Sequence, residues 1–154
     1  MSAINARLAE LGITLPQAAA PAANYVPYVQ TGNLVVVSGQ ITLLNGELKY
    51  IGRVGRDFTT EEAYEAAKLC GLNLIAQAKA ACGGDLDRVK RVVRLGGFVN
   101  CTDDFTDQPK VINGASDLMA QVFGEKGKHA RAAVGVNTLP LGVAVEIDGM
   151  FEIE

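Results

Sequence analysis

The sequence predicts an α/β sandwich in which two helices cover one face of a mixed six-stranded sheet. The apolar periodicity gives the order β-β-β-α-β-α-β-β after a short N-terminal helix, and helices interspersed among strands are typical of helices packed on a sheet. The length of 154 residues suits one domain, residues 1–154. Hydrophobic residues make up 49% and charged residues 20%, as in ordinary globular proteins.

The N-terminal stretch predicts a helix followed by an extended segment. Apolar residues recur at helical spacing within residues 2–11, at Ile4, Leu8 and Leu11, and Gly12 ends the pattern. The stretch "ITLPQAAAPAAN" is rich in Pro and Ala and predicts a chain that runs extended over the surface. Residues 1–23 therefore form an N-terminal extension.

Three strands are predicted next. Residues 25–30 and 33–38 are rich in β-branched and aromatic residues and flank a turn at residues 31–33. Residues 34–37 are continuously apolar, which predicts a strand covered on both faces. The pair Asn45-Gly46 marks a turn beside a short third strand.

The strongest helix signal is "TTEEAYEAAKLCGLNLIAQAKAACGG". Thr59 and Glu62 have the spacing of a capping box, and Gly83-Gly84 ends the helix. One face carries the predicted core residues Ala63, Ala66, Cys70, Leu74 and Ala78.

A long strand over residues 88–101 and a second helix follow. The second helix lies within "DQPKVINGASDLMAQVFG", with Val111, Leu118 and Val122 near core positions. The basic residues of "DRVKRVVR" have mixed spacing and no aromatic partners, so we interpret them as a solvated strand edge.

Residues 128–154 predict a β-hairpin that carries two charges, Arg131 in its first strand and Glu146 in its second. A turn at residues 139–142 would place Gly135 opposite Glu146, and would separate the two charges by about 13 Å along the strands. This spacing excludes a direct salt bridge within the hairpin. It favours a ligand or a second subunit between them.

The composition excludes several classes of function. A net charge of −3 gives no support for nucleic-acid binding. Three cysteines outside any CxxC pattern are expected to be buried apolar residues, and a single histidine argues against a zinc site. The chain shows no signal peptide or membrane span, so we expect a cytoplasmic protein. The uncovered sheet face is rich in Val and Gly, which predicts a homo-oligomer.

Four stretches resemble the Rid family (reactive intermediate deaminases, also called YjgF or L-PSP proteins): "YVPYVQTGNLVVVSGQI", "GGFVNCTDDF", "VINGASDLMAQVFG" and "ARAAVGVNTLPLGVAVEI". The resemblance runs from about residue 24 to residue 153. It implies a chorismate-mutase-like fold and a homotrimer with ligand clefts at the subunit interfaces. It also implies hydrolysis of small enamine or imine carboxylates, such as 2-aminoacrylate, to a 2-oxo acid and ammonia, without metal or organic cofactor.

The resemblance assigns roles to individual residues. Arg131 matches the arginine that binds the substrate carboxylate, and Glu146 matches the glutamate that positions or activates water. The expected cleft residues are Tyr28, Ser38, Asn113 and Ala133. Ala133 stands where many members have a cysteine; its backbone could still contribute to hydrolysis.

Simpler structural roles remain open for each residue. Arg131 could pair with a carboxylate at the rim, and Glu146 could be a solvated strand residue. The alternatives for the others are packing at a strand end for Tyr28, a turn for Ser38, a helix kink for Asn113 and a surface position for His129. The second function considered is a non-catalytic trimer that binds 2-oxo or amino acids as a sensor. Ribonuclease activity, also associated with the family, is physically the least attractive.

Overall fold

The structure, a computed structural model, describes residues 2–19 and 24–154. The helices are α1 (Ala3–Glu10), α2 (Thr60–Ala81) and α3 (Gln108–Phe123). The strands are β1 (Tyr28–Thr31), β2 (Leu34–Gln40), β3 (Leu43–Leu44), β4 (Glu47–Leu48), β5 (Val89–Asn100), β6 (Ala130–Val136) and β7 (Val145–Ile153). Short 3₁₀ turns occupy Leu86–Arg88, Gly124–Gly127 and Pro140–Gly142.

The predicted α/β class is confirmed. The main sheet has five strands in the order β1-β2-β7-β5-β6, and the β3–β4 hairpin stands apart from it, where the sequence predicted one sheet of six strands. Helix α2 packs over β2 and β7, and α3 packs over β5 and β6. The third strand expected around Asn45-Gly46 is therefore a two-residue arm of a small hairpin, whose turn has positive φ at both residues.

The N-terminal helix is held to the body of the domain by Asp87. Its carboxylate accepts hydrogen bonds from the backbone N–H groups of Ala3 and Ile4 at 3.0 and 2.9 Å. These bonds lower the pKa of Asp87 and satisfy two donors that a helix start otherwise leaves unpaired. Residues 13–19 form neither helix nor strand, as predicted, and the rest of that segment, residues 20–23, lies outside the described residues.

Helix α2 begins and packs as its sequence predicts. The Glu62 backbone N–H donates to Thr59 Oγ1 at 3.2 Å, and the Thr59 backbone N–H donates to Glu62 Oε1 at 3.0 Å. The five predicted core residues of this helix are all fully buried. Val111, Leu118 and Val122 of α3 are at most 2% exposed. The hydrophobic periodicity thus located the core side of both helices.

Helices α2 and α3 approach each other closely at Gly114. A Cβ atom at this position would collide with the backbone carbonyl oxygen of Tyr64. Only a glycine therefore permits this helix separation, which sets the height of α3 above the sheet.

One face of the sheet has no cover among residues 2–19 and 24–154. In β2, Val35 and Val37 are buried beneath the helices, whereas Val36 is 40% exposed on the other face. The prediction that residues 34–37 are covered on both faces is therefore wrong for the single chain. Val29 and Val134 are exposed as well.

The predicted C-terminal hairpin is also wrong. Strand β6 pairs in parallel with β5, and β7 lies on the other side of β5, antiparallel to it. The segment after Val136 is a connection across the end of β5, not a tight turn between neighbours. The strands were recognisable from their composition. Parallel neighbouring strands require a crossover connection, and α3 provides it between β5 and β6.

Replacing Gly114 with alanine should destabilise the protein. Overpacking typically costs about 1–3 kcal/mol, whereas alanine gains about 1 kcal/mol of helix propensity over glycine. The matched control is Gly71→Ala in α2, where the added Cβ would meet the Leu118 side chain at 3.0 Å and no carbonyl oxygen. Urea unfolding should give a lower midpoint for Gly114→Ala than for Gly71→Ala. Equal midpoints would show that the helices can separate without cost.

Candidate functional site

Arg131 and Glu146 lie on opposite faces of the sheet. Arg131 pairs with Leu95, which is buried beneath the helices, and Glu146 pairs with Phe98, three residues further along β5. Since strand residues alternate in direction, Leu95 and Phe98 point to opposite faces. The two charged residues are separated by about 10 Å across the strands and about 10 Å along them. Within one chain they cannot act on the same small molecule by direct contact.

The Arg131 guanidinium lies against the first half of α3. Its Nη1 donates to Asn113 Oδ1 at 2.9 Å and to Ser116 Oγ at 3.0 Å, and its Nη2 donates to the Pro109 carbonyl oxygen at 3.3 Å. The structure thus brings together two of the predicted site residues, Arg131 and Asn113.

All three acceptors of Arg131 are neutral. Among residues 2–19 and 24–154 it forms no salt bridge, so the alternative of a rim arginine paired with a carboxylate is not supported. Three of its five donors are occupied, and those that remain, on Nε and Nη2, belong to one edge of the guanidinium. This edge can bind a carboxylate with two parallel hydrogen bonds.

Ala133 lies two residues beyond Arg131 on the same face of β6. It is partly buried against the core and pairs with Gly97, where a Cβ atom would come within 2.6 Å of Ile112. Where the resemblance associates a cysteine with the site, this chain therefore has the methyl group of Ala133, which lies under α3 beside Arg131.

Ser116 and His129 extend the contacts of Arg131. Ser116 Oγ lies 2.8 Å from His129 Nε2, and His129 Nδ1 lies 2.6 Å from the Gly127 carbonyl oxygen. His129 is partly exposed and lies beside the contacts of Arg131 through Ser116. Ser116 was not identified from the sequence, because a serine on a helix carries no distinctive signal.

Glu146 borders a cavity of about 450 Å³ at the end of β2. Its lining includes Tyr25, Ser38, Gly39, Gln40 and Leu141. The pairing of β2 with β7 shifts between Val37 and Gln40, and this irregularity turns residues 38 and 39 toward the Glu146 side chain.

Gly39 and Ser38 shape the surroundings of Glu146 in different ways. A Cβ atom on Gly39 would collide with the Glu146 carboxylate, so the glycine leaves room for it. The Ser38 hydroxyl donates to the Val26 carbonyl oxygen at 2.7 Å, which holds the chain before β1 at the cavity wall. Ser38 therefore lines the cavity, and its hydroxyl hydrogen is donated to the backbone.

Tyr28 does not line this cavity. It pairs with Val37 and packs against the hydrophobic core, as the simpler alternative had it. Tyr25, three residues earlier, lines the cavity instead. Both tyrosines stand in the stretch "YVPY", and only the start of β1 at Tyr28 decides which one points inward.

Two buried amides of α2 support the cavity and were not identified from the sequence. Asn73 Nδ2 donates to the carbonyl oxygens of Ile41 and Leu43 at 3.1 and 2.7 Å. Gln77 Nε2 donates to the Ala19 carbonyl oxygen at 3.2 Å. The available signal was a pair of amide side chains one helical turn apart, on a face that is otherwise apolar.

The Glu146 carboxylate makes no hydrogen bond to any described residue. Partial burial raises its pKa above the ordinary value, and repulsion from Asp148 adds to the effect. A carboxyl group in this state can exchange a proton closer to neutral pH than a solvated glutamate can.

Other features of the described residues add no further site. A cavity of about 510 Å³ between the β3–β4 hairpin and α2 contains none of the predicted site residues. Residues 2–19 and 24–154 contain no cluster of three His, Cys, Asp or Glu side chains that could hold a metal ion. No helix in the same ranges is long and apolar enough to cross a membrane.

Comparison with known proteins finds a family match over residues 5–150, to the family described as "YjgF/chorismate_mutase-like, putative endoribonuclease". Protein TCP17 of Trypanosoma cruzi is 51% identical over 151 residues, which cover 97% of this chain and 94% of that protein. A 2-iminobutanoate/2-iminopropanoate deaminase of Dermatophagoides farinae is 30% identical over 142 residues, which cover 92% of this chain and 95% of that protein.

The solved structures include one with a very similar fold. The crystal structure of Atu1372 from Agrobacterium tumefaciens, a protein of unknown function, superimposes with a TM-score of 0.92 at 51% sequence identity. The match covers 98% of this chain and 92% of the Agrobacterium protein.

Replacing Glu146 with glutamine should stabilise the protein at neutral pH. The native pKa of Glu146 is raised, so the native state binds more protons than the unfolded state between the two pKa values. The unfolding free energy of the wild type therefore falls as the pH rises above about 4.3 and through the native pKa. Thermal unfolding at pH 7 should give a higher Tm for Glu146→Gln than for the wild type, with the difference closing at pH 4.

Glu152→Gln, on the same face of β7, controls for the loss of one carboxylate. A Glu146→Gln protein that is less stable than the wild type at pH 7 would contradict the prediction that the ionised Glu146 side chain destabilises the native state.

Proposed function

This chain belongs to the YjgF/chorismate mutase-like family, as its resemblance to the Rid proteins predicted, and from that premise we propose that it is an imine and enamine hydrolase. Its substrates would be small 2-imino or enamine carboxylates, and its products a 2-oxo acid and ammonia. The observation that carries the proposal is Arg131, whose guanidinium is held by neutral acceptors and keeps one edge for an anion.

Arg131 would bind the substrate carboxylate. The planar guanidinium can donate two parallel charge-assisted hydrogen bonds to it, which fixes both the position and the plane of the substrate. Asn113 and Ser116 prevent rotation of the guanidinium by accepting from Nη1. A substrate bound in this way presents its C=N carbon at a constant place.

Glu146 would handle the water and its protons. As the water oxygen bonds to the imine carbon and the C=N π bond opens, the carboxylate accepts a proton from water and passes it to the nitrogen, which gives a carbinolamine. Collapse of the carbinolamine breaks the C–N bond, forms the C=O bond and releases ammonia, with the hydroxyl proton passing to the nitrogen. A raised pKa suits this exchange, because the group can both accept and return a proton near neutral pH.

The active site would combine two subunits, since one chain places Arg131 and Glu146 on opposite faces of its sheet. We propose a homotrimer in which β6 of one copy lies against the uncovered sheet face of the next. Strand β6 is at the edge of the sheet, and the uncovered face exposes apolar residues such as Val29 and Val36. An apolar face beside an open strand edge favours association with another copy.

Cellular location and the absence of a thiol at Ala133 complete the proposal. All three cysteines are free and buried, which suits a reducing compartment such as the cytoplasm.

The methyl group of Ala133 favours a second candidate function, a sensor that binds 2-oxo acids without turnover. The net charge of −3 lends no electrostatic support to nucleic-acid cleavage.

Loss of Arg131 should abolish most of the activity. A second enzyme would generate 2-aminoacrylate or another 2-imino acid in the cuvette, and ammonia or semicarbazone formation would be followed. Arg131→Ala should lower kcat/KM by about 100-fold or more, because hydrogen bonds to a charged group are worth about 1.5–3 kcal/mol each. Arg56→Ala, which removes an exposed arginine paired with Asp57, is the matched control and should resemble the wild type.

Two outcomes would contradict this assignment. Acceleration that survives Arg131→Ala would remove Arg131 from the site. A wild-type protein that accelerates no imine hydrolysis but binds a 2-oxo acid through Arg131 would support the sensor instead.

Mixed oligomers should test whether the site is shared. Arg131→Ala and Glu146→Gln proteins, each inactive alone, would be unfolded together and refolded as a mixture. If one subunit supplies Arg131 and its neighbour Glu146, about a quarter of the sites should be intact in random trimers. Recovery of about a quarter of the wild-type activity supports the shared site, and no recovery contradicts it.

A further inference from the structure

Ser116 and His129 form a hydrogen-bonded chain that ends on Arg131. Arg131 Nη1 lies 3.0 Å from Ser116 Oγ, which lies 2.8 Å from His129 Nε2. His129 Nδ1 lies 2.6 Å from the carbonyl oxygen of Gly127, just before β6. The chain therefore connects α3, the loop after it and the strand that carries Arg131.

The hydrogen bond between His129 and Gly127 has a determined direction. The Gly127 carbonyl oxygen can only accept, so Nδ1 of His129 carries the hydrogen. In the neutral imidazole Nε2 is then an acceptor, and the Ser116 hydroxyl donates to it. The lone pairs of Ser116 Oγ remain for Arg131, which has only donors.

We infer that Ser116 and His129 are positioning residues, which orient the Arg131 guanidinium for the substrate carboxylate. This inference rests on the proposed function. The hydrogen bond with His129 fixes the rotation of the Ser116 hydroxyl about its C–O bond. Ser116 and Asn113 accept the two hydrogens of Arg131 Nη1. The Nε hydrogen and the second Nη2 hydrogen are then left for the ligand.

Orienting the Arg131 guanidinium without competing for its charge requires neutral hydrogen-bond partners. A carboxylate in the place of Ser116 would orient Arg131 equally well, but it would compete with the substrate for the positive charge. A hydroxyl that is itself hydrogen-bonded to the His129 imidazole restrains the guanidinium and leaves its charge to the ligand. The contribution should therefore appear in substrate binding and not in the chemical step.

The test compares binding and turnover in single variants. Ser116→Ala and His129→Ala should each raise KM for imine hydrolysis and Kd for 2-oxobutanoate, measured by calorimetry, by about 5- to 30-fold. The value of kcat should stay within about twofold, as expected when binding is lost equally in ground and transition states. Ser116→Thr, which keeps the hydroxyl, and His129→Gln, which offers another acceptor, should restore most of the affinity.

Two controls separate positioning from general loss of structure. Gln121→Ala, at an exposed position of the same helix, should change neither KM nor Kd. In an Arg131→Ala background, Ser116→Ala should have no further effect on Kd, because the two residues act through the same contact.

The possible failures are distinguishable. If the wild type neither hydrolyses imines nor binds 2-oxobutanoate, the proposed function fails and the positioning role fails with it. If the wild type is active and both alanine variants match it in KM and Kd, the positioning role alone is overturned. Equal losses in Ser116→Thr and Ser116→Ala would also overturn it.

Discussion

The parallel pairing of β5 with β6 is the constraint on which the candidate site depends. Parallel neighbours need a crossover, and α3 supplies it. The same helix that makes the pairing possible therefore lies above β6 and carries Asn113 and Ser116 to the Arg131 guanidinium. The pairing also inserts β5 between β6 and β7, which separates Arg131 from Glu146 and sends their side chains to opposite faces.

Close approach of backbones is the second requirement, and small residues meet it. Gly114 admits the carbonyl oxygen of Tyr64 between two helices, and Gly97 admits Ile112 between α3 and the sheet. On the other face Gly39 leaves room for the Glu146 carboxylate. A composition with 17 glycines and only 6% aromatic residues thus has a structural meaning, since it allows thin layers with charged groups held close to the backbone.

Features encoded within a few residues were predictable, and features that depend on partners distant in the chain were not. The capping box at Thr59, the core faces of both helices and the chorismate-mutase-like fold were correct. Periodicity does not encode which strand lies beside which, so the C-terminal hairpin was wrong. For the same reason the contact between Ser116 and His129, made only after α3 folds back, could not be read from the sequence. Tyr28 packs against the core and Tyr25, which precedes β1, lines the cavity, a difference that depends on where β1 begins.

The alanine at position 133 has a chemical consequence for the kind of molecule that the proposed site would handle. Imines are electrophilic at the C=N carbon, and a thiolate near the bound carbon could add to it and occupy the site. Beside Arg131 this chain presents a methyl group, and its three thiols are buried, with burial raising the pKa of Cys70 and Cys82. Such a protein should resist alkylation by its own substrates, and peroxide should find no accessible thiol to oxidise.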